Sequence, residues 1–262
     1  MGEERRAAAA AWLEWQLLAG VDCCLDPEVR RRDDRPLPAH PGDAAEPRSV
    51  PKGREAALDA RRLAASCRSL AELEETLREY EGCALKRTAT RLCFADGSAD
   101  AALMLVGEAP GAEEDRLGRP FVGPSGQLLD RTLAWIGLDR SRVYITNLIF
   151  WRPPGNRPPT AAEIAVCLPF LERQIALVRP RLLLFLGGLA ARTLLGVQEG
   201  VSRLRGREFL YHGEGLSEPI TARITFHPAY LLRQPAQKRY FWRDLLSVAE
   251  RLEQLGARAH TA

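Results

Sequence analysis

Lysine is nearly missing from this chain: of 37 basic residues, only Lys52, Lys86 and Lys238 are lysine, so one lysine serves the whole C-terminal half. Long apolar runs are missing too. The richest stretches, 103–106 and 182–186, fall far short of the roughly 18 residues a membrane helix requires. The opening MGEERRAAAAAWLEW has early acidic residues and no apolar core behind a basic leader, so no signal peptide is expected. Six cysteines in 262 residues, two of them adjacent at Cys23 and Cys24, are too sparse for a disulfide framework and leave thiols or metal ligands. A cytoplasmic location is the expectation. No internal repeat is found.

What remains is a composition of 46% hydrophobic and 27% charged residues, enough for one substantial core. Collagen-like, disordered and membrane-spanning classes are excluded. The formal charge of +3 is unevenly spread. Residues 181–243 hold ten Arg or Lys against four Glu, a net +6, so the remainder sums to −3. Such a basic segment suits a polyanion or a solvated charged face.

Along the chain, residues 1–25 contain a helical pattern at 5–20, and 26–53 carry six prolines among Arg and Asp, the composition of a flexible linker. The catalytic domain is expected over 54–262. Helical patterns follow at 54–66 and 69–81, the second with Ser69 as N-cap and Glu72 at capping-box spacing. Beyond Ala101, short apolar runs at 102–106, 143–146, 182–186 and 222–226 alternate with helical patterns at 125–136, 161–178 and 188–195. This alternation predicts βαβ units around a parallel sheet. The four runs stop at Gly107, Asn147, Gly187 and His227. Carboxyl ends of parallel strands share one edge, so these four stops should line one crevice.

The strings Gly107-Glu108-Ala109-Pro110-Gly111, Gly118-Arg119-Pro120-Phe121-Val122-Gly123, Asn147 ahead of Arg152-Pro153-Pro154-Gly155-Asn156-Arg157, and His227-Pro228-Ala229-Tyr230-Leu231-Leu232 together resemble family 4 uracil-DNA glycosylases, from about Cys83 to Leu245. The resemblance implies a three-layer α/β/α sandwich with a central four-stranded, mainly parallel sheet. It also implies an enzyme of base excision repair that flips uracil out of DNA and hydrolyses its N-glycosidic bond to leave an abasic site.

The residue types suit that chemistry. Base flipping needs a replacement stacking surface, for which Phe121 is the candidate. The Asn147 carboxamide has the donor and acceptor that uracil O4 and N3–H require, with the polarity opposite to cytosine. His227 is the candidate donor to uracil O2 as charge develops there, with backbone N–H groups at Gly107 and Glu108 able to share that task. Glycosylases of the best-known type carry an aspartate two residues after the first motif glycine; Ala109 stands there. Glu108 or Asn147 is left to orient the water. Glu114 and Asp115 either brace the loop, through ion pairs with Arg119 or Arg116, or shape the pocket. The scarcity of lysine speaks against a Schiff-base lyase step, so a monofunctional enzyme is expected.

DNA is expected to be held by Ser125 and Gly126 and by Gly187 and Gly188, which open helices, by Arg152 and Arg157, and by Tyr230, Leu231 and Arg233, with Leu231 or Leu232 as a wedge. The protein is expected to act as a monomer without a membrane partner.

Family 4 members commonly hold a 4Fe-4S cluster on four cysteines. Cys83 and Cys167 match two of those positions, but Lys86 and Trp151 occupy the others, and Cys93 can replace at most one. No cofactor is expected, the Trp151 indole and Lys86 stem filling the volume. Two alternatives remain: a non-catalytic module recognising uracil or abasic DNA, and covalent capture of abasic DNA by the histidine. The latter branch carries an arginine-rich insertion that is missing between Asn147 and Arg152.

Overall fold

The computed structural model describes residues 52–256. The expected helix at 5–20 and the stretch 26–51 lie outside them. In chain order the elements are α1 (Lys52–Ser66), α2 (Leu70–Glu79), β1 (Asp96–Gly97), β2 (Leu103–Gly107), α3 (Ala112–Leu117), α4 (Pro124–Ala134), β3 (Val143–Asn147), α5 (Ala161–Val178), β4 (Leu182–Leu186), α6 (Gly188–Leu195), α7 (Val201–Leu204), β5 (Glu208–Tyr211), β6 (Ile220–Thr225), α8 (Pro228–Arg233) and α9 (Lys238–Gln254).

The sheet has six strands in the order β1-β3-β2-β4-β6-β5, not four. The four inner strands are the expected ones and run parallel, while β1 pairs antiparallel with β3 and β5 antiparallel with β6. The two edges escape a periodicity reading for physical reasons. One is two residues long, and the other is mostly solvent-facing. Strands β2, β3 and β4 are buried along their whole length because helices cover both faces.

Side-chain alternation then sorts the core into two layers. Met104, Val106, Tyr144, Leu183 and Phe185 point to one face, where Leu73, Phe170 and Ala190 bring α2, α5 and α6 against them. Leu103, Leu105, Val143, Ile145, Leu182 and Leu184 point to the other, against Leu129 and Leu133 of α4 and Phe241 and Leu245 of α9. This is the expected α/β/α arrangement.

Helix starts are set by local chemistry. Thr160 and Glu163 form a full capping box at α5, with Thr160 N–H donating to the Glu163 carboxylate (2.8 Å) and Glu163 N–H to the Thr160 hydroxyl (3.3 Å). At α2 the Ser69 hydroxyl accepts from Glu72 N–H as expected, but the Glu72 carboxylate accepts from Arg68 N–H, one residue earlier than a capping box requires. The chain from β2 moves to β3 on one side and then, through α5, to β4 on the other. The switch point therefore lies at the carboxyl end of β2.

Leu184, fully buried in the centre of the sheet, reports on this core. Leu184→Ala is expected to cost about 3 kcal/mol, read in thermal unfolding as a fall of roughly 10 °C in the midpoint.

Candidate active site

At the carboxyl ends of the inner strands lies a cleft of about 520 Å³ whose walls include Glu108, Glu114, Phe121, Ser125, Asn147, Pro153, Arg157, His227, Tyr230 and Arg233. Asn147 and His227 come from the ends of β3 and β6, and Glu108 follows β2. Leu148 and Ile149 extend the β2–β3 ladder past the sheet by donating to the carbonyls of Gly107 and Glu108 at 2.9 and 3.2 Å, which fixes the two strand ends against each other.

Asn147 is 1% exposed, and neither its Oδ1 nor its Nδ2 hydrogen-bonds to any described residue. Leaving both ends of an amide unpaired costs a few kcal/mol, so such a group calls for a partner from outside. Gly107 is what admits it. A Cβ there would stand 2.4 Å from Asn147 Oδ1 and 2.5 Å from Phe121 Cζ, so only glycine lets these two side chains meet behind the cleft.

Phe121 is 4% exposed, and its ring lies 5.5 Å from that of His227 at an interplanar angle of 31°. Its φ is 54°, in the left-handed region, where a bulky L-residue is strained by about 1–2 kcal/mol. Its carbonyl packs against α4 so closely that a Cβ on Gly126 would sit 1.6 Å from it. Arg140 donates to the carbonyls of both Pro120 and Phe121.

His227 caps α8: its Nδ1 accepts from Ala229 N–H at 3.1 Å. The ring proton is thereby assigned to Nε2, making that nitrogen the donor. Burial, together with the charge of Arg233, holds the imidazole down at about pKa 4. The ring is therefore neutral near pH 7. Glu108 is shifted the other way, its carboxyl raised by burial and only partly offset by Arg192.

Glu114 does not pair with Arg116 or Arg119. Its Oε1 accepts from the N–H groups of Val122 (3.0 Å) and Gly123 (2.9 Å), and its Oε2 from Gly111 N–H (3.1 Å). Asp115 likewise accepts from Thr90 and Arg91 N–H. The arginines are engaged elsewhere, Arg116 with Glu113 and Arg119 with Asp96. A buried carboxylate is best satisfied by nearby backbone donors, and two loop segments supply them.

The DNA-facing expectations divide. Ser125, Arg157, Tyr230 and Arg233 line the cleft, and Arg152 sits beside it, donating to Asn156 Oδ1 at 2.8 Å. Leu231 is a correction: it is 0% exposed and belongs to the core, while its neighbour Leu232 is 41% exposed. A shift of one residue on a helix rotates the side chain by about 100°, which sequence alone left open. Gly187 is a second correction, because its N–H is spent on the Thr225 carbonyl at 2.9 Å. Gly188 and Gly126, in the first turns of their helices, are outside the cleft lining. Pro153 and Asn156, both inside the Arg152–Arg157 string, also line the cleft without having been named as site residues, and the grip of Arg140 is one for which no pattern gave a sign.

Cys83 and Cys167 do meet, buried, with their thiols hydrogen-bonded to each other; that bond lowers the Cys83 pKa and raises that of Cys167. Lys86 turns to Glu81 at the surface, and Trp151 is buried edge-on to Phe150. Cys93 donates instead to the Glu114 carbonyl at 3.0 Å. Among the described residues no group of three or more His, Cys, Asp or Glu is arranged to hold a metal. Two thiols beside an indole do not fit a cluster needing four thiolates.

Comparison with known proteins bears on what this cleft does. The family model described as Uracil DNA glycosylase superfamily matches residues 94–246. The chain is similar to the type-4 uracil-DNA glycosylase of Pyrobaculum aerophilum, 38% identical over 180 residues, which are 67% of this chain and 91% of that protein. It is 35% identical to that of Archaeoglobus fulgidus, covering 70% of this chain and 92% of that protein. It is also 38% identical to that of Thermotoga maritima, covering 62% and 82% respectively.

The depressed His227 pKa carries a definite sign. Between about pH 6.5 and 4 the unfolded chain binds a proton on this residue that the folded chain refuses, so stability falls as pH drops through that window. His227→Asn keeps a capping side chain but does not titrate. In urea unfolding at pH 7 and pH 4.5, the wild type is expected to lose more stability than the variant; equal losses would refute the neutral, half-buried imidazole.

Proposed function

The chain belongs to the uracil DNA glycosylase superfamily, and from that membership together with the cleft we infer that it is a uracil-DNA glycosylase, a hydrolase of N-glycosyl bonds that acts in base excision repair. Its substrate is uracil-containing DNA.

The observation that carries the site assignment is the buried Asn147 amide without a protein partner. A flipped uracil supplies both missing bonds: Nδ2 donates to O4 and Oδ1 accepts from N3–H. Cytosine offers the reverse polarity at both positions and would leave four buried polar groups unpaired. Phe121 stacks on the extruded base and takes over the stacking lost from the helix. As the glycosidic bond lengthens, negative charge gathers on O2, and the Nε2–H of a neutral His227 donates to it. That bond strengthens toward the transition state, which is where it accelerates the reaction. A neutral donor also spares the protein from burying a cation beside Arg233.

With Ala109 in the cleft wall there is no carboxylate at that position to act as a strong base. Glu108 or Asn147 orients the water, which attacks after bond cleavage has advanced to an oxocarbenium-like species. The sparse lysine content supports a monofunctional enzyme that leaves the abasic site uncut. DNA is held by Arg152, Arg157 and Arg233 through phosphates, by backbone N–H groups at Ser125, Gly126 and Gly188, and by Tyr230 in the cleft wall, with the exposed Leu232, of the two leucines, as the wedge. The four cysteines among the described residues are buried thiols, which suits the cytoplasmic location proposed for the protein. No helix among the described residues is long and apolar enough to cross a membrane.

This chain is also read as lacking an iron–sulfur cluster, on the two-thiol donor set at Cys83 and Cys167. Protein purified without oxygen is expected to contain only trace iron and no absorbance band near 400 nm; a stoichiometric cluster would overturn this.

The main test is a labelled oligonucleotide containing one uracil, followed by alkali and a denaturing gel. Strand cleavage after alkali is expected. No change would mark a non-catalytic binder, and a band shifted by the mass of the protein would mark covalent capture. Asn147→Asp cannot donate to O4 and is expected to lower excision by about a hundredfold or more; undiminished activity would put the pocket elsewhere.

A further inference from the structure

The strained backbone of Phe121 needs something to hold it, and the holder is a single side chain outside the cleft. Arg140 belongs to the short 3-10 turn, Arg140–Arg142, that leads into β3. Its Nη2 donates to the Phe121 carbonyl, and its Nη1 to the Pro120 carbonyl at 3.1 Å. The same Nη1 pairs with Asp96 of β1, and Nε pairs with Asp130 of α4 at 2.9 Å. Burial alone would raise the Asp96 carboxyl, but hydrogen bonds from Arg119 and Arg140 hold it below its ordinary value. One planar group thus joins an edge strand, a helix and two successive carbonyls of the Phe121 loop. Lysine, a point charge with three donors, cannot reproduce such a fork.

The carbonyl that Arg140 grips is the one lying against Gly126, and the ring of the same residue lies against Gly107, Asn147 and His227. Rotation of the Phe121 backbone toward an ordinary φ would move that ring off its neighbours. We propose that Arg140, seated on Asp96 and Asp130, is a positioning residue for uracil excision, acting through Phe121 to keep the stacking ring in place. This rests on the glycosylase reading and extends it. Arg140 is absent from the cleft lining, so its effect falls on the flipped base within the bound complex and not on affinity for DNA.

Single-turnover excision on a uracil-containing oligonucleotide, with circular dichroism to normalise for folded protein, tests this in wild type, Arg140→Gln, Arg140→Lys, Phe121→Ala and the Phe121→Ala/Arg140→Gln pair. An inactive wild type would refute the glycosylase reading itself. With an active wild type, Arg140→Gln is expected to lose tenfold or more in rate at saturating enzyme while half-saturation moves less than twofold. Arg140→Lys should recover only part of that loss. In the Phe121→Ala background the same Arg140→Gln change should cost less than twofold, because its route is already cut. A rate at the wild-type level, a loss explained by the unfolded fraction, or full additivity with Phe121→Ala would overturn the proposal. Should Arg140→Gln fail to fold, Asp130→Asn at the exposed end of the clamp takes its place. It is expected to lose two- to fivefold with the same non-additivity, and an unchanged rate would be equally fatal.

Discussion

A carboxamide held out of solvent with both ends unbonded is the constraint around which the rest of this molecule is arranged. Asn147 is the last residue of an inner strand, so the sheet determines its position; Gly107, paired with it across the ladder, clears the space it occupies. The cost of the unpaired amide is borne by a core of fully buried strands on either side. An amide offers one donor end and one acceptor end, so on the proposed reading selection among bases becomes a matter of hydrogen-bond pairing and not of shape alone.

Much of this was legible in the chain. The inner strands, α5 and α6 follow from runs of apolar residues and from caps, and the strand-end residues Asn147 and His227 converge because parallel strands must end together. What escaped did so for identifiable reasons. Edge strand β1 is too short to have a period, and β5 is half solvated. Leu231 and Leu232 differ only in helical phase, which depends on where α8 begins. Glu114 stood between bracing the loop by ion pairs and shaping the pocket; its partners are backbone donors brought close by loop folding, and no residue type announces a free N–H. The bonds of Arg140 to two main-chain carbonyls are hidden for the same reason.

The region around Trp151 is held by packing between two stretches of the chain. Cys83 and Cys167 remain in contact, while an indole packed on Phe150 and an ion pair of Lys86 with Glu81 occupy the neighbouring positions. Apolar burial, including Phe94 stacked on Phe150, ties the segment before β2 to the chain entering α5. Buried aromatic area of that size contributes several kcal/mol, the scale needed to anchor a short segment.

Glu114 gathers three amides from two separate turns, so the walls they form are ordered when the polypeptide folds. The entropy of shaping the receptacle is settled before any nucleotide arrives, and little ordering remains to be charged against the visitor's own contacts. On the proposed reading, a flipped base meets walls that Glu114 has already set in place.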